Sequence, residues 1–427
     1  MPRLFSNRDR AFDLGPLPTE RLPRSAASPV PGAQQPTDLV PADADAVHAV
    51  LPAYRALFDA HLDGPVAPAR APVPDDLAAR SRNLKASAYF LDATLAGVCT
   101  LQPQDWLATD PAPQLHAHTH ALVLLVEFSR EPLPGEPGAD WIRGTNAART
   151  DLRCAEIAVV LAGYIRALGW PARGHVHGST QVDLAALAQR AGVAVAQAGG
   201  VLAMPFLRRG FRIAVVTTSY PLATDLPIAP GASLDWPDAD AYLGVGGTRP
   251  GFEDAELARR PLHLGRHPME RIRRVDAPTT LVLRDEITRV PKRADLFTRA
   301  LAGDLGARAQ HERSRFAVKH PLALAMTPLI RGLVPLQGTR TPLPPNSLGA
   351  SLGDAQRNAD AVKALAHALG ADLVGICVAE PWMVYSHDEQ TGQPIAPYHR
   401  FAIVLLVDQG FETMEGASGD DWISGAQ

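Results

Sequence analysis

A long internal repeat constrains the fold of this chain more than any other feature. Residues 82–145 and 357–426 follow one pattern: a helical stretch that starts at Arg-Asn, an apolar run ending in cysteine, a second apolar run, and a Trp-Ile pair. The offset in numbering is 377 − 99 = 278 at the cysteines and 422 − 141 = 281 at the tryptophans. Because this period is far longer than that of a solenoid unit, the repeat predicts a duplicated domain.

The apolar runs in both copies are typical of buried strands. The first run spans Leu95–Cys99 and Leu373–Cys377, and the second spans Ala121–Glu127 and Ala402–Asp408. Short apolar runs that alternate with helical stretches are typical of strands packed between helices. The sequence therefore predicts an α/β (α+β) fold: a duplicated layered module whose mixed sheet is flanked by helices, with the second copy truncated.

The chain divides into four predicted segments. They are a Pro/Ala-rich N-terminal arm with a helix, a first module, a connecting segment with short helices and the start of a second module, at residues 1–75, 76–229, 230–345 and 346–427. Within the first module, residues 148–169 predict a long helix that ends at Gly169.

The second copy is predicted to be incomplete. The chain ends soon after Trp422 (427 − 422 = 5), whereas the first module continues far beyond Trp141 (229 − 141 = 88). If both copies fold alike, the strand at 402–408 lacks part of its sheet and its helical cover. We therefore expect the chain to be the front part of a longer architecture.

Composition excludes several classes of protein. The formal net charge of −4 argues against a dedicated nucleic-acid binder. The apolar runs are shorter than the roughly 20 residues of a membrane span, and the N-terminus has no secretory signal, so a cytoplasmic location is predicted. The three cysteines are too far apart for a disulfide framework or a clustered metal motif, and their apolar neighbours predict buried free thiols.

The histidines near the strands allow two interpretations, a metal site or a solvated strand entry. His116, His118 and His120 have the spacing that places three imidazoles on one face of a strand, as zinc could use. The segment follows a Pro-rich loop, however, and we favour the solvated entry. We interpret His175 and His177 in the same way.

Polar and aromatic residues concentrate in the second copy, where ligands often sit at strand ends. The segments WMVYSHDE, PYH and GFETMEGASGDDWISG carry them, and we predict that Tyr385, His387, Trp422 and Ser424 bind a cofactor. The alternative is a polar rim that only caps the sheet. No catalytic residue and no metal ligand is assigned.

The segments RVPKRADLFTRALAGDL, RSRFAVKHPLALAMTPLIRGLVPLQG and PYHRFAIVLLVDQGFETMEGASGDDWISGAQ resemble the cobalamin-dependent reductive dehalogenases, specifically the soluble, non-respiratory type. The resemblance implies a front module that is a decayed duplicate of the cobalamin-binding module behind it. It also implies reductive removal of halogen from halogenated phenols or similar organohalides, with cobalamin, two [4Fe-4S] clusters and an electron donor.

The chain departs from that family in its ligands. Iron–sulfur clusters need clustered cysteines, which this sequence lacks. The family's catalytic Tyr, Lys and Arg lie beyond the matching segment, so none is assigned. We therefore expect the chain alone to bind no cobalamin tightly, to be inactive and to self-associate through its incomplete second module.

Two further readings stay open from the sequence. One is a non-catalytic interaction subunit that is completed by a separate Cys-rich chain. The other is a relative in the epoxyqueuosine-reductase branch, against which the missing cysteines and the acidic balance count.

Overall fold

The structure is a computed structural model that describes residues 10–37, 40–41, 47–107, 117–207, 209–234, 260–265, 267–277, 279–315, 325 and 354–407. Its helices are α1 Leu51–Asp59, α2 Leu77–Phe90, α3 Ala139–Ile142, α4 Asn146–Ala167, α5 Leu184–Arg190, α6 Leu296–Leu301, α7 Ala307–Arg315 and α8 Ala355–Leu369. Its strands are β1 Leu95–Thr100, β2 His120–Glu127, β3 Ala172–His175, β4 Val195–Ala196, β5 Leu202–Ala203, β6 Phe211–Thr218, β7 Leu373–Val378 and β8 Phe401–Leu406.

Helices α2, α5 and α8 begin where an aspartate caps the backbone. Asp76, Asp183 and Asp354 each accept a hydrogen bond from an amide in the first turn of their helix, which satisfies a donor that the helix itself leaves unpaired. The predicted long helix is confirmed as α4. None of the described helices has the length and apolar character of a transmembrane segment.

The first module contains a four-stranded sheet in the order β1-β2-β6-β3. Every neighbouring pair in it is antiparallel, so the prediction of a mixed sheet was wrong, although the layered arrangement of sheet and helices is confirmed. The physical reason is the position of β6. Strands β2 and β3 run in the same direction and are joined through α4, but β6 lies between them and runs the other way, as in a split βαβ unit.

Both faces of this sheet are buried. On β2, Leu122, Leu124 and Val126 join the core that includes residues of α1, α2 and α4. The alternate residues Val123 and Leu125 join a second core with α5 and part of the N-terminal arm. Because successive side chains of a strand point to opposite faces, one continuous apolar run supplies both cores.

The N-terminal arm contributes a compact turn that we call the first clasp, residues 10–24. The Arg10 guanidinium donates to the carbonyl oxygens of Leu14, Gly15 and Leu17 at 2.7 to 3.1 Å and pairs with Glu20 at 2.8 Å. Leu17 is fully buried in the second core. The arm is therefore fixed to the first module along this stretch.

Residues 260–274 form a second clasp, whose Arg260 stands where the first clasp has Arg10 (260 − 10 = 250). Arg260 donates to the carbonyl oxygens of Leu264, Gly265 and His267 at 2.6 to 3.4 Å, and it also pairs with Glu270. The shared pattern Leu-Gly-x-x-Pro-x-Glu-Arg runs from Leu14 and from Leu264. The sequence interpretation did not include this second repeat.

A glycine at a left-handed backbone position lets each clasp lie against a ring. Gly15 has φ +69°, and a Cβ there would lie 2.2 Å from the Tyr89 ring of α2. Gly265 has φ +64°, and a Cβ there would lie 2.5 Å from the His367 imidazole of α8. Tyr89 and His367 differ in numbering by the same offset as the cysteines (367 − 89 = 278), so each clasp contacts the equivalent position of its own repeat helix.

The second module contains α8 and the hairpin of β7 and β8 among its described residues. β1 pairs with β2 so that Cys99 lies opposite Ala121, and β7 pairs with β8 so that Cys377 lies opposite Ala402. All six pairs of one hairpin map onto the other, with the cysteine offset for the first strand and the tryptophan offset for the second. The two hairpins therefore have the same register.

Two charged side chains of the first module hold the second clasp. Arg130 and Glu136 form an ion pair at 2.6 Å. Arg130 also donates to the carbonyl oxygen of Arg260 at 3.0 Å, and the Glu136 carboxylate accepts from the Leu262 amide at 2.6 Å. Desolvation opposes ionisation of Glu136, but its hydrogen bonds outweigh it and lower its pKa.

Candidate functional site

The loop between β7 and β8 carries two of the four residues that were predicted to bind a cofactor. Tyr385 and His387 lie shortly after Trp382, in an exposed stretch of this loop. The exposed fraction of Tyr385 is 37%. Trp422 and Ser424 lie outside the described residues, so the structure brings together only the first pair.

An arginine from the connecting segment holds this loop in place. The Arg289 guanidinium donates to the carbonyl oxygens of Val384, Tyr385 and Ile395 at 3.0, 2.6 and 2.6 Å. One planar cation thus joins the two sides of the loop, which suits its fixed fork of donors. The 230–345 segment, predicted only as a connection, supplies this support.

A lysine from the same segment lies over the tyrosine. The Lys292 ammonium is 4.7 Å from the centre of the Tyr385 ring, a cation–π distance. The pKa of Lys292 is raised: desolvation lowers it, but attraction to Asp295 and Tyr385 outweighs that effect. The Lys292 amide also donates to the His387 carbonyl oxygen at 3.1 Å.

The tip of the loop is closed by a carboxylate. Asp388 accepts from the amides of Gln390 and Thr391 and from the Thr391 hydroxyl at 2.8 to 3.0 Å. Its pKa is lowered, first by the Thr391 amide. The neighbouring His387 shares a hydrogen bond of 3.0 Å between Nδ1 and the Ser386 hydroxyl, so its Nε2 is the ring nitrogen that can meet a ligand.

A buried ion pair lies in the equivalent loop of the first module. Leu107 is the counterpart of Tyr385 (385 − 107 = 278). Just before it, Asp105 is 1% exposed, accepts from the Gln102 amide at 2.7 Å and pairs with Arg190. A buried ion pair therefore closes this loop in the first module, whereas an exposed tyrosine and a lysine lie at its counterpart in the second.

A buried chain of hydrogen bonds lies beside that ion pair. The Thr217 hydroxyl is 2.8 Å from His118 Nδ1 and 2.9 Å from His175 Nε2. His175 Nδ1 accepts from the Gln181 amide at 3.3 Å. Its proton is therefore on Nε2 and bonds to Thr217, whose own proton goes to His118. In this assignment the Gln181 amide, His175 and Thr217 each donate one hydrogen bond, His118 accepts one, and both imidazoles are neutral.

Burial keeps these imidazoles uncharged. Desolvation lowers the pKa of His118 to about 4 and that of His175 to about 3. The prediction of a solvated strand entry was therefore wrong for both residues. His118 just before β2 and His175 at the end of β3 are both buried, where each contacts the Thr217 hydroxyl of β6. His177 is exposed as expected, and His116 lies outside the described residues.

The remaining candidates are metal ligands, the three cysteines and two basic residues of the connecting segment. No cluster of three potential metal ligands occurs among the residues that the structure describes. Cys99 and Cys154 are buried as predicted, but Cys377 is exposed, which corrects the expectation of three buried thiols. Arg289 and Lys292 were not assigned a role. Both lie in the segment RVPKRAD, which contributes to the family resemblance. Their contact with the loop after β7 cannot be predicted from one sequence, because the two segments are far apart in the chain.

Comparison with known proteins gives one group of close matches. Solved structures of the catabolic reductive dehalogenase NpRdhA share 59% identity with this chain; they include one at TM-score 0.88 and a complex with 3-bromo-4-hydroxybenzoic acid at 0.87. A further structure, described as suggesting a mechanism for B12-dependent dehalogenation, has a TM-score of 0.89 and the same identity. Each match covers 99% of this chain and 60% of the other. No protein-family model and no curated protein matches significantly.

Proposed function

Because this chain belongs to the reductive dehalogenase family, we propose that it contributes to an enzyme that removes halogen reductively from aromatic organohalides with the help of cobalamin. The observation that carries the proposal is the 59% identity over 99% of the chain, at a TM-score of 0.88. The chain spans about 60% of the length of that relative. We therefore propose the activity for an enzyme of the relative's full length.

The substrate class follows from a bound compound of the relative. That dehalogenase has been solved with 3-bromo-4-hydroxybenzoic acid, a halogenated phenol with a carboxylate. A substrate of this class is anionic and aromatic, and it would be recognised by cations and by aromatic side chains. We assign the same class to the enzyme to which this chain contributes.

The loop after β7 is the part of this chain proposed to contact cobalamin, through Tyr385 and His387, with Trp422 and Ser424 completing the set. The donor set fits a corrinoid, since a phenol, an imidazole and exposed aromatic rings suit its amide side chains and its broad ring edge. When bound, cobalamin would supply the redox chemistry for reductive removal of the halogen. Within this chain, Arg289 fixes the loop backbone and Lys292 positions the Tyr385 phenol.

Iron–sulfur clusters do not fit the residues present. Two [4Fe-4S] clusters take eight thiolate ligands at four each, and this chain has three cysteines, two of them buried. We propose that these ligands, and therefore the clusters that deliver electrons, belong to a part of the enzyme outside this chain. The isolated chain is then inactive and binds cobalamin weakly.

A duplication explains why two similar hairpins differ in chemistry. The shared register and the two clasps support a doubled unit in which the first module has closed its loop with Asp105 and Arg190. The second module keeps an exposed loop that can meet a ligand. A non-catalytic subunit completed by a separate Cys-rich chain is the alternative, and the exposure of the second hairpin favours it as well.

The test uses the chain together with the part of the dehalogenase relative that it does not match, produced as a separate polypeptide. Cobalamin binding is followed by its visible spectrum, and debromination of 3-bromo-4-hydroxybenzoic acid is followed with a strong reductant. We expect both only in the mixture. Turnover by the isolated chain would contradict the proposal, and so would a mixture that neither binds cobalamin nor debrominates.

Four variants test whether residues of this loop contribute to cobalamin binding. Tyr385→Phe and His387→Gln are expected to weaken cobalamin binding about tenfold each, the loss of roughly one hydrogen bond. Arg289→Lys keeps the charge but cannot bridge three carbonyl oxygens, so it should weaken binding through the loop position. His177→Gln, an exposed histidine of the first module, is the control. Equal affinity in all four variants would remove these residues from the cofactor site.

A further inference from the structure

The first module holds two elements of the second module, the second clasp and helix α8. We infer that residues 130–142, which we call the docking segment, position the loop after β7 through Arg130, Glu136 and Gly138. The inference rests on the proposed function only for what that loop binds. The main experiment measures backbone exchange in the chain alone, so its failure is distinguishable from failure of the proposed function.

Arg130 and Glu136 form one hydrogen-bonded unit that both modules share. The two oxygens of the Glu136 carboxylate accept from the Arg130 guanidinium at 2.6 and 3.1 Å. The same carboxylate accepts from the Leu133 amide of its own module at 2.8 Å and from the Leu262 amide of the second clasp at 2.6 Å. Arg130 donates to the Arg260 carbonyl oxygen at 3.0 Å. Hydrogen bonds to charged groups are stronger than neutral ones, so this unit fixes the second clasp firmly.

The second copy lacks this unit but keeps a neighbouring carboxylate. With the tryptophan offset, Arg130 and Glu136 correspond to Phe411 and Ala417, whereas the residue between them, Glu131, corresponds to a second glutamate. Glu131 accepts from a backbone amide of its own module at 3.0 Å. The residue that both copies carry therefore closes a module, and the pair that only the first copy carries contacts the other module. This difference assigns the pair to docking.

Helix α8 lies directly against the docking segment. Of its side chains, all of which the structure describes, Ala361 and Ala364 are buried. A Cβ on Gly138 would lie 3.0 Å from the Ala364 Cβ and 3.2 Å from the Ala361 carbonyl oxygen. Gly138 has φ +80°, a conformation that glycine adopts without steric cost. Small residues on both sides thus let the backbone before α3 and the backbone of α8 come close.

The equivalent face of α2 does not have this cover. With the cysteine offset, Ala361 and Ala364 correspond to Asn83 and Ala86. Asn83 is exposed and Ala86 is half-buried. The two repeat helices therefore differ at the positions that the docking segment contacts. The burial of α8 there comes from the contact between modules, not from a packing that both copies share.

Both sides of the loop after β7 are connected to elements that the docking segment holds. From the second clasp the chain reaches Arg289 in 289 − 274 = 15 residues, and from α8 it reaches Ser386 in 386 − 369 = 17 residues. The two stretches then meet. The Lys292 amide donates to the His387 carbonyl oxygen at 3.1 Å, and the Ser386 amide donates to the Val290 carbonyl oxygen at 2.8 Å. Holding both origins on one surface lowers the conformational entropy that these stretches lose when they meet.

The test variant gives the first copy the residues that the second copy carries, Arg130→Phe together with Glu136→Ala. Amide hydrogen exchange of the whole chain is measured without cobalamin. The amides of α8, Lys292 and Ser386 are expected to exchange about tenfold faster or more, because the elements that carry them open more often. The amides of β2 and β6 should change little, since their own pairing is untouched.

Glu136→Gln is the conservative variant for this measurement. Its side chain keeps a carbonyl oxygen that can accept from the Leu262 amide, although it loses the charge. Most of the protection of α8, Lys292 and Ser386 should therefore remain. Loss of protection as complete as in the double variant would contradict a role for this acceptor in docking.

Two glycine variants give a matched pair. Gly135 and Gly138 both have φ +80°, so an alanine costs similar backbone strain at either position, but a Cβ on Gly135 would meet nothing within 4 Å. Gly138→Ala should displace α8 and accelerate its exchange several-fold. Gly135→Ala should leave α8 protected. Equal exchange of α8 in the two variants would contradict the close approach of Gly138.

A second arm measures cobalamin affinity from the visible spectrum, in the mixture of this chain with the unmatched part of the dehalogenase relative. The double variant is expected to weaken binding about tenfold, because the loop is less preorganised, and Gly135→Ala should bind as tightly as the parent chain. If the parent mixture binds no cobalamin, the proposed function fails, while the exchange measurement still decides whether the docking segment positions the loop.

Three other results overturn the inference. The first is unchanged exchange of α8 in the double variant. The second is faster exchange of α8 with unchanged exchange at Lys292 and Ser386, because the helix would then be held without any effect on the loop. The third is an equal acceleration in β2, β6 and α8, which would show that Arg130 and Glu136 serve the fold of the first module.

Discussion

Lowering the pH from 7 to 5 is expected to destabilise the first module by about 4 kcal/mol through His118 and His175. Both imidazoles are buried, and desolvation lowers their pKa values to about 4 and about 3, against about 6.5 in an unfolded chain. A histidine whose pKa is lower in the folded than in the unfolded chain leaves the fold at its full stability when the pH is above the unfolded pKa. This stabilisation is lost as the pH falls from about 6.5 towards the folded values, because only the unfolded chain takes up protons there.

The magnitude follows from that difference in proton binding. At pH 5 both imidazoles are still largely neutral in the folded protein, whereas both are protonated in the unfolded chain. Each histidine then contributes about 2 kcal/mol of lost stability between pH 7 and pH 5. Screening by solvent reduces this loss of stability only slightly, since His175 is 0% and His118 is 7% exposed.

Urea unfolding at the two pH values measures the effect. Tryptophan fluorescence is a suitable signal, because the Trp106 ring lies 6.4 Å from the His175 ring. His118→Asn and His175→Asn should each reduce the loss between pH 7 and pH 5 by about 2 kcal/mol, and the double variant by about 4 kcal/mol.

Thr217→Val is the matched control, since it removes the hydroxyl between the two imidazoles but leaves both in place. It should lower stability at both pH values and keep the pH dependence. The reasoning is refuted if the double variant loses as much stability between pH 7 and pH 5 as the parent chain.

Two further predictions concern a glycine and the cysteines. Gly15→Ala and Gly32→Ala both place a side chain at a φ near +70°, which costs about 1 kcal/mol, but only Gly15→Ala also strikes the Tyr89 ring. Thermal unfolding should therefore show a further loss of about 1–3 kcal/mol for Gly15→Ala, and equal losses would contradict the close approach of the first clasp to that ring. In thiol labelling at pH 7, Cys377 should react first, because burial raises the pKa of Cys99 to about 12 and also raises that of Cys154; simultaneous labelling of all three thiols in the folded chain would count against this.

The strands and the long helix could be predicted from the sequence, but the order of the strands could not. Apolar runs such as Ala121–Glu127 identify a strand from its own residues, because burial on both faces requires a continuous run. The insertion of β6 between β2 and β3 depends on pairing between distant parts of the chain, and no local pattern records it. The sheet was therefore predicted as mixed.

The candidate site shows the same limit. Tyr385 and His387 were predicted to bind a cofactor because polar and aromatic residues cluster after an apolar strand. Their support by Arg289 and Lys292 was missed, since it depends on how a distant segment packs. The buried state of His118 was also missed, since it depends on packing against Thr217 of β6, a distant part of the chain.

The two clasps differ in the length of chain that they close. The separation between the glycine and the ring that it contacts is 89 − 15 = 74 in the first clasp and 367 − 265 = 102 in the second. Loop-closure entropy grows only with the logarithm of length, so closing the longer loop costs about 0.3 kcal/mol more. A clasp thus tolerates insertions behind it at almost no loss of stability. The connection between each clasp and its helix can therefore change length at little entropic cost.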